Sequence, residues 1–134
     1  MKGKIMIVDD DEHIRFLYSE EFEDEGYDVV TVSNGFKLLE KIEREKPDLV
    51  VLDIRLRGYD GLDLLQSIKN RFYDMPVGLC TAYDTFKEDM KSITPDFYVV
   101  RSSDLTELKN NISKTLDIYR KNSTGKKYVS EFSL

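Results

Sequence analysis

The sequence predicts a doubly wound α/β sandwich: a sheet of five parallel strands between two layers of helices. Three observations predict it. Five short runs rich in Val, Ile and Leu recur along the 134 residues, most without polar alternation, as expected of parallel strands buried on both faces. Stretches of helical period separate them, giving strand–helix units with right-handed crossovers. Acidic, hydroxyl and basic residues stand at the carboxyl ends of the runs, where this architecture places its ligands.

The first run, Lys4 to Val8, stops at Asp9, Asp10 and Asp11. A helix from Glu12 to Glu25 follows, with Ile14, Leu17, Tyr18 and Phe22 on one apolar stripe and "EEFEDE" on its solvated side. Asp28 to Val32 is the second strand. Asn34 to Glu45 is the second helix, its apolar positions being Phe36, Leu38, Leu39 and Ile42. The third strand, Asp48 to Leu52, ends at Asp53, and a helix over Leu62 to Phe72 buries Leu62, Leu64, Leu65, Ile68 and Phe72. The fourth strand, Pro76 to Cys80, leads to Thr81. Asp84 to Ile93 is the weakest helical pattern, with only Phe86, Met90 and Ile93 apolar before Pro95 closes it. Phe97 to Val100 is the fifth strand and leads to Arg101. The last helix, Asp104 to Tyr119, aligns Leu105, Leu108, Ile112, Leu116 and Tyr119, with Asp104 as N-cap ahead of Glu107. Residues 122 to 134, "NSTGKKYVSEFSL", are polar and aperiodic; they read as a tail or linker stub after a domain of residues 1 to 121.

Composition narrows the function. With 20 basic against 26 acidic residues the net charge is −6, which argues against general nucleic-acid binding. No apolar run approaches the ~20 residues that cross a bilayer, and the amino terminus lacks the pattern of a signal peptide. Cys80 is the only cysteine, so no internal disulfide forms, and a reducing cytoplasm is the natural setting. Cys80 itself reads as a small buried hydrophobe, and His13 as an exposed first-turn residue.

If the sheet forms, Asp9, Asp10, Asp53, Thr81 and Arg101 converge on one shallow pocket. Three carboxylates together raise one another's pKa unless a cation sits among them. Mg²⁺ suits a site of few carboxylates that also takes a phosphate oxygen. A hydroxyl and a guanidinium across the pocket are what a phosphoryl group then needs. Taken singly, each residue has a plainer reading: Asp9, Asp10 and Asp11 as helix caps, Thr81 as a turn residue, Arg101 as a surface charge. The combination carries the weight.

"IMIVDDD", "PDLVVLDIRLRGYDGLDLL", "TAYD" and "DFYVVRSSDLTEL" together resemble the receiver domain of bacterial two-component response regulators, over residues 3 to 120. The opening and middle look especially like single-domain receivers of phosphorelays. The resemblance implies a flavodoxin-like fold with strand order 2-1-3-4-5. It implies that Asp53 accepts a phosphoryl group from a phosphohistidine, and that Mg²⁺ is held by Asp9, Asp10, Asp53 and the backbone carbonyl of Arg55, with Asp10 the more direct of the acidic pair. Thr81 matches the hydroxyl that follows the phosphoryl group, Tyr98 the switch aromatic and Arg101 the basic residue after strand five. Implied partners are a histidine kinase or histidine phosphotransfer protein and a downstream protein effector. A homodimer through the face of the fourth helix, fifth strand and fifth helix is also implied. Similar receivers dock their phosphodonor on the first helix, where Phe16, with Ile14 and Leu17, is either the docking contact or an ordinary surface aromatic. Such a protein is a phosphoacceptor rather than a turnover enzyme.

The sequence departs from that family at Arg101-Ser102, at Arg57, and in a short fourth helix segment that lacks the usual glycine before strand five. Arg101-Ser102 replaces the usual Lys-Pro joined by a cis peptide; a cis bond without proline costs ~3–4 kcal/mol, so a trans bond and a reshaped loop are expected. Arg57 stands where proline is usual. Bulky Arg55 and Tyr83 occupy the positions that tune access of water to the acyl phosphate, which points to slow self-dephosphorylation. Rival classes fit less well. A haloacid-dehalogenase-type phosphatase wants Thr or Val where His13 stands, and three aspartates would repel the phosphate of a flavin carrier. A degenerate receiver acting only as a phosphorylation-independent binding module is the alternative that Arg101-Ser102 keeps open.

Overall fold

The computed structural model describes residues 2–82 and 94–122. The expected helix from Asp84 to Ile93, Tyr83 and the tail from Ser123 onward lie outside them. Strands β1 (Lys4–Val8), β2 (Asp28–Val32), β3 (Leu49–Leu52), β6 (Val77–Thr81) and β7 (Phe97–Val100) form one sheet in the order β2-β1-β3-β6-β7, every neighbouring pair parallel. Counting only these five, the order is the 2-1-3-4-5 of a flavodoxin-like fold. Helices α1 (Glu12–Asp24), α2 (Leu38–Glu45), α3 (Gly61–Arg71) and α4 (Thr106–Asn122) are the crossovers.

The central strands are apolar throughout because both faces are covered. Met6, Val8, Val50, Leu52, Val77 and Leu79 point into a cluster with α2 and α3. Ile5, Ile7, Leu49, Val51, Cys80 and Val99 point to the opposite cluster, with Tyr18 and Phe22 of α1 and Leu108, Ile112 and Leu116 of α4. Each such side chain contributes ~1.5–3 kcal/mol on burial. Gly78 is fixed by packing: a Cβ there would lie 2.0 Å from the ring of Phe97, its partner across the β6–β7 ladder.

Three local expectations are corrected. The second helix begins at Leu38 rather than Asn34. Asn34 Oδ1 accepts the Phe36 N–H at 2.8 Å and Lys37 adopts a left-handed φ of 51°, so the chain turns here before coiling, leaving Phe36 58 % exposed instead of in the core. Leu17 is 41 % exposed, so it lies outside the buried stripe of α1 that Tyr18 and Phe22 form. The last helix starts at Thr106, two residues after Asp104; Asp104 still accepts the Thr106 N–H at 2.9 Å. A two-stranded antiparallel ribbon, β4 (Arg55–Leu56) with β5 (Tyr59–Asp60), joins β3 to α3 and turns at Gly58, whose φ of 76° is left-handed.

Opposite the strand tips that carry the acidic residues, Asp96 ties four elements together. Its Oδ2 accepts Lys69 Nζ of α3 at 2.6 Å and the Val77 N–H of β6 at 2.7 Å, while its Oδ1 accepts the Tyr119 hydroxyl of α4. No described helix is long and apolar enough to cross a membrane.

Candidate functional site

The strand tips bring the acidic residues together through backbone geometry. The Asp9 N–H donates to Val32 O and the Asp53 N–H to Val8 O, both at 3.0 Å, so each aspartate continues its strand by one ladder step. Gly61 lets α3 close onto the residue after Asp53: its N–H donates to Ile54 O at 2.9 Å, and a Cβ there would come within 2.4 Å of Ile54 Cα.

The three consecutive aspartates divide their work. Asp11, exposed, caps α1 by accepting the His13 N–H at 2.9 Å and the Ile14 N–H at 3.4 Å. Asp9 is 3 % exposed; its Oδ1 accepts the Asp11 N–H at 2.8 Å, and its Oδ2 accepts Arg101 Nη2 at 2.5 Å. Asp10, half-buried, turns Oδ2 to the Arg57 N–H at 3.2 Å. Asp53 is 7 % exposed, with Oδ1 on the Arg55 N–H at 3.2 Å and Oδ2 on Arg101 Nη2 at 3.4 Å. Carboxylate oxygens of Asp9, Asp10 and Asp53 lie within 4.8 Å of one another.

The electrostatics follow from this crowding. Burial pushes Asp9 up to about 6, although the Asp11 N–H and Arg101 both favour its charged form. Burial likewise raises Asp53 above the usual carboxylate range, opposed by the Arg55 N–H and by Arg101, with the Asp10 charge adding to the rise. Burial would lower Arg101, but the charges of Asp9 and Asp53 outweigh it and hold the guanidinium above its usual range. The Arg101 guanidinium serves Asp9 and Asp53, and Asp10 has only the exposed Arg57 side chain at 3.9 Å, so the three carboxylates' demand for positive charge is not met in full. That demand, and an all-oxygen donor set, fit a hard divalent cation. Thr81 Oγ1 and Arg101 Nε are buried with no hydrogen-bond partner. Two such unpartnered polar atoms, one of them on the guanidinium that binds Asp9 and Asp53, suit the oxygens of an anion.

Each site residue singled out in the sequence that lies among the described residues has a definite place; Tyr83 lies outside them. Asp9, Asp10, Asp53 and Arg101 form one cluster. Arg55 adjoins it through its backbone, and Thr81 through its carbonyl, which accepts the Arg101 N–H at 2.5 Å. Tyr98 lies on β7 opposite Leu79, half-buried against the α2–α3 cluster. On α1, Phe16 is 65 % exposed and Ile14 partly buried. No peptide bond among the described residues is cis, so Arg101–Ser102 is trans.

Arg57 is the partner that sequence reasoning missed. Its backbone N–H holds Asp10, which a proline could not do, and its Nε lies 3.9 Å from the same oxygen. The signal was present as the replacement of proline at that position. A cleft of about 400 Å³ opens beside Asp10, walled by Arg55, Arg57 and Tyr59.

Comparison with known proteins gives the same answer from three directions. The pattern of the response regulator receiver domain matches residues 5–113. The sporulation initiation phosphotransferase F of Bacillus subtilis is 32 % identical over 120 residues, which cover 88 % of this chain and 97 % of that protein. The response regulator TrrA of Thermotoga maritima, solved with Mg²⁺ and a beryllium fluoride, superposes with a TM-score of 0.79 at 39 % identity, covering 84 % of this chain and 97 % of the other. TrrA solved in complex with the histidine kinase ThkA superposes at 0.76 and 40 % identity, with the same coverage.

Proposed function

The chain belongs to the response regulator receiver family, and on that premise we propose that it accepts a phosphoryl group on Asp53 from the phosphohistidine of a kinase or phosphotransfer protein. The observation that carries this reading is the pairing of a nearly buried carboxylate cluster with two unpartnered buried donors, Thr81 Oγ1 and Arg101 Nε. Asp9, Asp10, Asp53 and the Arg55 carbonyl would hold the Mg²⁺ cofactor, which would supply positive charge to offset that on the phosphoryl oxygens.

The chain's own groups do the rest. An Asp53 carboxylate oxygen bonds to phosphorus as the donor's P–N bond breaks and the imidazole leaves. Arg57, through its N–H, keeps Asp10 turned toward the site. Thr81 Oγ1–H and the Arg101 guanidinium donate to the phosphoryl oxygens, and the trans Arg101–Ser102 bond needs no proline for this. As Thr81 moves toward the new charge, Tyr98 turns into the space it leaves and reshapes the face that β7 and α4 share. Exposed Val100 and Ile118 on those two elements support that face as the one read by a downstream protein effector or a second copy of the chain. The protein is thus a phosphoacceptor that promotes its own phosphorylation, and its free, buried Cys80 thiol accords with a cytoplasmic setting.

Incubation with acetyl phosphate and Mg²⁺ tests the reading: intact mass should show one added phosphoryl group, mapped to Asp53 and prevented by a chelator. Unmodified protein would refute it.

The donor docks on α1 in this proposal. Phe16 and Leu17 are adjacent exposed apolar residues of α1, a helix that begins three residues after Asp9. Phe16→Ala combined with Leu17→Ala should slow transfer from the histidine-bearing partner by about tenfold, as truncated interface anchors commonly do. Phosphorylation by acetyl phosphate should keep its rate. Equal loss with both donors would place the effect in the site and not in docking.

A further inference from the structure

Of the three carboxylates that would hold Mg²⁺, Asp10 is the least buried, so packing does the least to direct it. Its direction comes from the turn that carries it. The Asp9 N–H donates to Val32 O at 3.0 Å, the Asp11 N–H to Asp9 Oδ1 at 2.8 Å, and the Arg15 N–H to Asp11 O at 3.0 Å. Between these ties lies the peptide that joins Asp9 to Asp10. Its oxygen, Asp9 O, accepts Arg15 Nη1 at 2.8 Å. A peptide is planar, so a hold on its oxygen also fixes the nitrogen from which Asp10 continues. The Arg57 N–H, 3.2 Å from Asp10 Oδ2, restrains the far end of the same side chain.

Arg15 is more than a lone carbonyl requires. It is the fourth residue of α1, near the positive end of the helix dipole, which opposes a cation there. Among the described residues its guanidinium makes that one hydrogen bond and no ion pair. Water could satisfy a carbonyl at a strand end, but it would leave the peptide free to turn. A half-buried guanidinium with a planar fork keeps the oxygen in one place.

We infer that Arg15 is a positioning residue for the Mg²⁺ site: its bond to Asp9 O sets the Asp9–Asp10 peptide, and with it the direction in which Asp10 presents its carboxylate. This role rests on the reading of Asp9, Asp10 and Asp53 as the metal ligands, and it gives a function to a residue that would touch neither the metal nor the phosphoryl group.

Charge and position predict opposite signs. Removing a cation that stands on the backbone of Asp9 should, by Coulomb attraction alone, tighten the binding of any divalent ion. Loss of position should weaken it, and Mg²⁺ more than Ca²⁺, because Mg²⁺ demands near-octahedral geometry and Ca²⁺ tolerates a flexible shell. Titration calorimetry of the full chain with MgCl₂ and with CaCl₂ is the measurement. Arg15→Met keeps an unbranched stem and loses both charge and donor. It should raise the Mg²⁺ dissociation constant about tenfold, as loss of a group that orients a metal ligand commonly does, and that of Ca²⁺ less than about threefold. Tighter binding of both ions, an unchanged Mg²⁺ constant, or an equal loss for the two overturns the inference; equal loss is what a general loosening of the turn would give. Absence of Mg²⁺ binding to the wild-type chain would instead overturn the metal-site reading, and this role with it. If Arg15→Met does not fold, the wild-type protein decides: its crystal structure with Mg²⁺ bound should keep Arg15 Nη1 within hydrogen-bond reach of Asp9 O, and an arginine turned away refutes the role.

Discussion

Asp53→Asn protein should fold, melt at a higher temperature than wild type without Mg²⁺ at neutral pH, and take no phosphoryl group from acetyl phosphate. The loss of phosphorylation follows from chemistry: an amide nitrogen or oxygen does not replace the nucleophilic carboxylate at phosphorus. The gain in stability follows from the site. Burial and the neighbouring acidic charge hold the Asp53 carboxyl above its usual range despite Arg101, so its ionised form is less favourable in the folded chain than in the unfolded one. A neutral side chain of the same shape removes that cost. A variant that melts lower than wild type would mean that the bond from Arg101 Nη2 outweighs the repulsion, and a variant that still gains a phosphoryl group would move the acceptor elsewhere.

The second large effect lies at the opposite end of the sheet and concerns stability alone. Asp96→Ala removes the acceptor shared by Lys69 Nζ, the Val77 N–H and the Tyr119 hydroxyl. Lys69 keeps the Met75 carbonyl at 2.8 Å, but its charge loses its counter-ion. Burial, the larger cause of the raised Tyr119 pKa, persists in the variant, so the phenol stays a protonated donor that has lost its acceptor. Breaking one partner out of a part-buried pair of this kind costs about 2–4 kcal/mol. Urea denaturation should show that loss as an earlier midpoint with an unchanged slope. Acetyl phosphate should still phosphorylate the folded fraction at the wild-type rate, because the site is built at the other strand ends. A loss below about 1 kcal/mol would show the network to be incidental.

The strands were the most legible part of the sequence. Their apolar runs need cover on both faces, and every one of the five emerged within a residue of its expected bounds. Legibility fell where a single side chain decides a local turn. The start of α2 depends on Asn34 capping the Phe36 N–H and on Lys37 turning left-handed, which apolar spacing does not encode. The β4–β5 ribbon has two residues per strand, too few for any period to show. Leu17 matched a helical stripe, yet the sheet covers only the arc centred on Tyr18 and Phe22. In the site, residue types at strand ends identified Asp9, Asp10, Asp53, Thr81 and Arg101, since convergence follows from topology. Backbone partners were not legible: nothing in the letters says that the Arg57 N–H turns Asp10 or that the Asp11 N–H restrains Asp9. Tyr18 was read as core, which it is, and only the structure shows that its hydroxyl meets Cys80 Sγ at 3.4 Å.

A divalent cation completes the carboxylate cluster, and the Mg²⁺-induced rise in melting temperature tests this. Asp9 is raised to about 6 by burial, so without metal its ionisation costs the folded state stability, lost as pH rises from about 4 through 6. Mg²⁺ needs the ionised form and must reverse that trend. At neutral pH and about a hundred times its dissociation constant it should add about 2.7 kcal/mol, a rise of several degrees. The rise should shrink toward pH 5 and nearly vanish in Asp10→Asn. A rise of the same size at both pH values and in Asp10→Asn, or none at neutral pH, would contradict the claim.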